Sequence, residues 1–199
     1  MTDGFYFAII ILLNINGEIY MTHTAVALSS LESSIANGIR NHLQKIEELN
    51  SQGKVGIRSA EAVKELHRPL CSVLVENNYD AVLERPMPDY FGGTHKADVG
   101  LEDETFEFKC FKTSYDKNHK NYLRNAASES LFQKEMGFNC NSIIIAPVGM
   151  LNEYQLSGWE RLAKTHNLLV VIYDENFNLT FPITSMEDFF GSSSVLLAS

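Results

Sequence analysis

The sequence predicts an α/β protein in which a mixed central sheet is flanked by helices on both faces. Three observations predict it. Stretches with helical spacing of apolar residues come first and then recur between strand-like runs. Two of those runs, Ile143-Ile144-Ile145-Ala146 and residues 168–173, are apolar throughout, as in strands covered on both sides. An acidic turn, Glu102-Asp103-Glu104, joins two further strands into a hairpin.

The elements follow in order. Residues 5–13 are strongly apolar but fall short of the roughly 20 residues a membrane span requires. They lack the basic start and small-residue cleavage site of a signal peptide. Asn16-Gly17 then gives a type I′ turn signal, so residues 1–20 read as an apolar extension or a hairpin. A second reading makes Met21 the true start. Leu31, Ile35, Ile39, Leu43 and Ile46 mark a helix over 31–50, with Ser29 or Ser30 as its cap and Ser51-Gln52-Gly53 as its stop. A second helical region spans 59–78, and Pro69 is expected to kink or break it and open a new helix. Residues 79–85 read as a strand, and Pro86, Pro88, Gly92 and Gly93 as an irregular loop.

The hairpin strands cover 96–101 and 105–111. A helix over 118–137 places Leu123, Ala127 and Leu131 on one stripe and stops at Gly137. A helix over 152–166 turns Leu156, Trp159, Leu162 and Ala163 inward. Residues 174–178 form a turn before Leu179-Thr180-Phe181, and the Ser-rich 191–199 reads as a flexible tail. The organisation is a single domain over 21–190, with its core at about 59–148.

Composition narrows the function. A 45% apolar content suffices for one core in 199 residues. The cysteines, Cys71, Cys110 and Cys140, are odd in number and have no CxxC spacing, which argues against a disulfide framework or structural zinc and for a reducing, cytoplasmic compartment. A net charge of −9 tells against nucleic-acid binding by bulk charge and leaves room only for local basic patches. It also suits a protein that gathers carboxylates around metal ions.

Chemistry concentrates between Asp98 and Lys109. Glu107 and Lys109 are two apart on a strand and share a face, while Phe106, Phe108 and Cys110 take the other. Whether Asp98 joins them depends on the parity of the hairpin. A two-residue loop sets Asp98 opposite Glu107 and a four-residue loop sets it opposite Lys109. A three-residue loop sets it opposite Phe108 and breaks the site unless a bulge resets the register. Two carboxylates one strand apart repel unless a cation lies between them. Mg²⁺ binds through one or two carboxylates and keeps several waters. It can polarise a phosphoryl oxygen and activate a water, and a neighbouring ammonium can stabilise the developing charge. Asp98 and Glu107 would hold the metal with the Phe108 carbonyl as a further ligand, and Lys109 would stand by the water.

Asp98 followed by Glu107-x-Lys109 on a hairpin, within the order helix, strand, hairpin, helix, strand, resembles the PD-(D/E)XK nuclease superfamily. The resemblance covers roughly 59–148. It implies a restriction-endonuclease-like fold with Asp98 and Glu107 as Mg²⁺ ligands and Lys109 as the catalytic lysine. An acidic residue on the preceding helix often completes such sites; Glu65 is the candidate, with Glu61 and Glu76 behind it. Ala97 stands where the motif has proline, and the literal Pro88-Asp89 lies among loop signals. Lys112, Lys117, Lys120 and Arg124, with His119, form the most basic stretch of the chain directly after the site. Basic residues at a helix start oppose its dipole, so phosphate contact is their expected role. Lys96 is a further DNA-contact candidate. Gln133 could face the site, and His67-Arg68 and His95-Lys96 are read chiefly as surface pairs. The expectation is a Mg²⁺-dependent endonuclease on double-stranded DNA, of restriction type and homodimeric. The alternatives are a structure-specific repair or mobile-element nuclease, or a non-catalytic nuclease-fold binding module.

Overall fold

The computed structural model describes residues 23–53, 60–88, 93–111 and 119–198. The expected hairpin of residues 1–20 lies outside them, as do Lys112 and Lys117. The chain forms a mixed α/β fold around one six-stranded sheet. In chain order the elements are α1 (Leu28–Ser51), α2 (Ala60–Glu76), β1 (Val82–Pro88), β2 (Thr94–Gly100), β3 (Glu104–Cys110), α3 (His119–Glu135), β4 (Asn139–Pro147), α4 (Glu153–Ala163), β5 (Asn167–Tyr173), β6 (Leu179–Thr180) and α5 (Met186–Gly191). The strands lie side by side in the same order, β1 to β6. β1, β2 and β3 form an antiparallel meander, β3, β4 and β5 run parallel, and β6 returns antiparallel.

The strand alternation sorts side chains onto two faces. Phe106, Phe108, Ile143, Ile145, Leu169 and Val171 pack with α1, α2 and α5. Ile144, Ala146, Leu168 and Val170 pack with Ala126 of α3 and Trp159 of α4. Helices thus cover both faces, as expected. α1 and α2 approach so closely that a Cβ on Gly38 would collide with the Leu66 carbonyl. α4 starts with a full capping box, Asn152 accepting from the Gln155 N–H and Gln155 accepting from the Asn152 N–H.

Several local expectations are corrected. α1 begins at Leu28, with Ala27 at its cap and no side-chain capping bond, rather than at Ser29 or Ser30. α2 runs through Pro69 as one helix. Leu66, Leu70 and Leu74 are all buried, so anchoring on both sides of the proline offsets the roughly 3 kcal/mol it costs. Pro86 and Pro88 belong to strand β1 and not to a loop. Among the described residues β1 is a sheet edge, where a residue without an N–H is tolerated. On α3, Leu131 is 58% exposed, whereas Ala126 and Gln133 are buried.

The segment read as a flexible tail is tied down through residue 198. Val195 is buried, Leu196 donates to the Tyr79 hydroxyl at 2.7 Å, and Leu197 forms a parallel bridge with Val26. Glu104 accepts from the Ser194 N–H at 2.9 Å and from its hydroxyl at 3.1 Å. Among the described residues, no helix is long and apolar enough to cross a membrane.

Candidate metal and phosphate site

The β2–β3 turn decides whether the three motif residues meet. Val99 pairs with Phe106 and Gly100 with Thr105, and the Leu101 N–H donates to the Glu104 carbonyl at 2.7 Å. Glu102 and Asp103 are therefore a two-residue loop, and this register sets Asp98 opposite Glu107. The turn has the parity that the reading requires, and the paired ladder ends at Val99, one residue short of Asp98.

The ladder itself stops short of Asp98. Its Oδ2 takes the Phe108 N–H at 2.8 Å, in place of a backbone partner. On its other side, β1 pairing skips Glu84, the residue across from Asp98, whose φ of 52° turns the strand locally. Asp98 thus sits at a parting of strands. Its carboxylate is wedged between β2 and β3 and is not simply projected from one face.

From that parting its carboxylate contacts α2, and Glu107 and Lys109 feel its charge. His67 of α2 brings Nδ1 to 3.6 Å from Asp98 Oδ1 and stacks on Phe108, with ring centroids 4.8 Å apart. His67 is 1% exposed, so it is no surface residue. Burial lowers its pKa, against the opposing pull of Asp98. On the other side stand Glu107 and Lys109. Glu107 is 3% exposed, and its Oε2 lies 3.6 Å from Lys109 Nζ. Burial, then Asp98, pushes the Glu107 carboxyl up to about 8, against Lys109. Lys109 loses solvation by burial, yet Glu107, Asp98 and Glu129 outweigh that loss and raise its pKa.

α3 completes the enclosure. Gln133, fully buried, donates from Nε2 to Glu107 Oε1 at 2.7 Å, while its Oε1 accepts from the Thr105 hydroxyl. The amide is held at both ends and fixes one Glu107 oxygen. Glu129, one turn earlier on α3, approaches the same amide at 3.4 Å and His95 Nε2 at 2.6 Å.

Comparison of the chain with models of protein families, with curated proteins and with solved structures finds no match.

Carboxylate oxygens are the donors a hard divalent cation takes, and among the described residues the three side chains whose ligand atoms all lie within 4.8 Å of one another are His95, Glu107 and Glu129, without Asp98. Among the described residues, the carboxylates of Asp98, Glu107 and Glu129 act on the Lys109 ammonium, and Glu107 is buried, where an uncompensated charge is costly. The other sequence candidates are placed less centrally. Glu65 pairs with Arg68 on its own helix at 3.1 Å, and the α2 side chain in contact with Asp98 is His67. Glu61 lies 3.9 Å from Lys45, outside this group. Lys96 is exposed and lies 3.8 Å from Glu84. Arg124 is exposed on α3, and Lys120 falls in the first turn of that helix.

Glu129 was not foreseen. It carried a readable signal, since Tyr122, Ala126, Glu129 and Gln133 continue one stripe at three- and four-residue spacing. The stripe changes from apolar to polar exactly where it passes over the β3 carboxylate, so a search for apolar spacing selects its neighbour.

Proposed function

We propose that the protein is a Mg²⁺-dependent endonuclease of the PD-(D/E)XK type that hydrolyses phosphodiester bonds in double-stranded DNA, acting in the cytoplasm as a restriction-type homodimer. The observation that carries this reading is the two-residue hairpin turn. Its register, continued one residue past the last pair at Val99, brings Asp98 level with Glu107, which lies 3.6 Å from Lys109, and the element order from α2 to β4 supports the resemblance.

Asp98 and Glu107 would hold the ion, with the Phe108 carbonyl a further oxygen between Glu107 and Lys109. When bound, Mg²⁺ would polarise a phosphoryl oxygen and lower the pKa of a water. The chain's own groups do the rest. The Phe108 N–H fixes the Asp98 carboxylate, and Gln133 fixes Glu107. Lys109, kept protonated by the surrounding carboxylates, orients the attacking water and offsets charge that builds on the phosphorus oxygens. Arg124, Lys120 and Lys96 would meet the phosphate backbone, with Lys112 and Lys117.

Incubating the purified protein with plasmid DNA and Mg²⁺ tests the proposal. Discrete fragments are expected, abolished by chelation. Lys109→Ala should slow cleavage on the order of 10²–10³-fold, and Asp98→Ala should act at least as strongly. Cleavage that survives both substitutions overturns the assignment, and cutting confined to junctions or ends favours a structure-specific nuclease.

A further inference from the structure

Glu107 also converges with two side chains that lie outside the sequence motif. His95 comes from β2, three residues before Asp98, and Glu129 from the middle of α3. One ligand atom from each of His95, Glu107 and Glu129 lies within 4.8 Å of the other two. Three donors on one ion, with bonds of about 2.0–2.2 Å, stand roughly 3–4 Å apart, so side-chain adjustments on the order of an ångström close the set around a cation.

The side chains around the group are held in place, and the His95 side chain is 34% exposed. His95 Nε2 is buried and makes no hydrogen bond, although Glu129 Oε1 lies only 2.6 Å away. The ring is seated edge-on against Phe132, with centroids 5.8 Å apart and planes at 80°. Gln133 reaches both carboxylates from behind, at 2.7 Å to Glu107 and 3.4 Å to Glu129. Supporting hydrogen bonds of this kind hold metal-binding carboxylates in place.

We propose that His95, Glu107 and Glu129 form a site for a divalent first-row transition ion that adjoins the Asp98–Glu107 pair and shares Glu107 with it. The imidazole sets the selectivity. An all-oxygen set suits Mg²⁺, whereas a nitrogen donor among carboxylates favours ions later in the row. Three side chains leave coordination positions open for water or for a substrate oxygen. The site is defined by its donors alone and stands whether or not the protein cleaves DNA.

Mn²⁺ added to the full chain is the probe, read by calorimetry and by pulsed electron paramagnetic resonance. The expected result is a bound Mn²⁺ whose spectrum carries nitrogen coupling from one imidazole. His95→Gln should erase that coupling, and Glu129→Gln should weaken binding on the order of tenfold or more. Asp98→Asn should leave the nitrogen coupling in place. Each variant is checked for native circular dichroism, and the wild-type spectrum is decisive even if one fails to fold. Wild-type Mn²⁺ without nitrogen coupling, or coupling that persists in His95→Gln, overturns the proposal. DNA cleavage without nitrogen coupling would defeat this site alone; nitrogen coupling without cleavage would defeat the nuclease reading alone.

Discussion

α3 and α4 lie on the same side of the sheet and cover opposite kinds of surface. α4 rests its buried Trp159 in a cluster with Ile144, Ala146, Leu168 and Val170, an apolar patch over β4 and β5. α3 reaches that patch only with Ala126 and flanking residues, then passes over β3, where Thr105, Glu107 and Lys109 point at it. There its inward side chains are Glu129 and Gln133. One helix is held by packing, and the other by hydrogen bonds and charge around a buried carboxylate. The difference teaches that a helix covering a polar site has its stripe written in polar residues.

Substitutions can break or sharpen this contrast. The largest effect belongs to the packed half. Trp159→Ala removes a fully buried indole and should cost about 3–5 kcal/mol in chemical denaturation.

Next comes Glu107→Gln, which should differ in sign with pH. The folded-state pKa of Glu107, about 8, lies above its ordinary value, so the folded protein holds the proton more tightly. Its contribution is fully present below about pH 4.3 and is lost as pH rises towards and through 8. In metal-free protein, Glu107→Gln should flatten that fall and leave the variant more stable than wild type at pH 9, by an amount on the order of a few kcal/mol. A wild-type profile equally flat over this range would contradict the burial argument. Divalent cation should reverse the order by stabilising only the wild type.

Gln133→Ala strips Glu107 and Thr105 of their shared partner and should cost about 1–3 kcal/mol. Nuclear magnetic resonance titration should also show the Glu107 pKa rising further, because the Gln133 hydrogen bond lowers it. The smallest effect is expected at Leu131→Ser, within about 0.5 kcal/mol, since that side chain is largely exposed. A large loss there would restore the apolar stripe as the buried face of α3.

The same contrast explains what could be read from the sequence. Strands β4 and β5 were legible because burial on both faces leaves an uninterrupted apolar run. The Glu107–Lys109 pair and the two-residue loop were legible because strand alternation and hairpin parity are arithmetic. The inward face of α3 was not, because apolar spacing rewards Leu123, Ala127 and Leu131 over the neighbouring stripe that bears Gln133. His67 resembled half of a surface pair with Arg68, since nothing in a dipeptide tells which of two adjacent helical residues turns inward. The C-terminal segment looked loose from its serines. Ser194 instead supplies two donors to a buried glutamate ninety residues earlier, a non-local pairing that composition does not record. Pro69 and Pro86 were read as breaks by local rules that tertiary anchoring and an edge position override.

The prolines of β1 have a consequence for assembly. Strand addition needs a row of free N–H groups, and Pro86 and Pro88 withhold two from one rim of the sheet while the turn at Glu84 bends it. The opposite rim ends in the two-residue β6. Among the described residues, neither margin offers a long template for another molecule to dock backbone to backbone, so two copies of the described fold would meet through helical or loop surfaces.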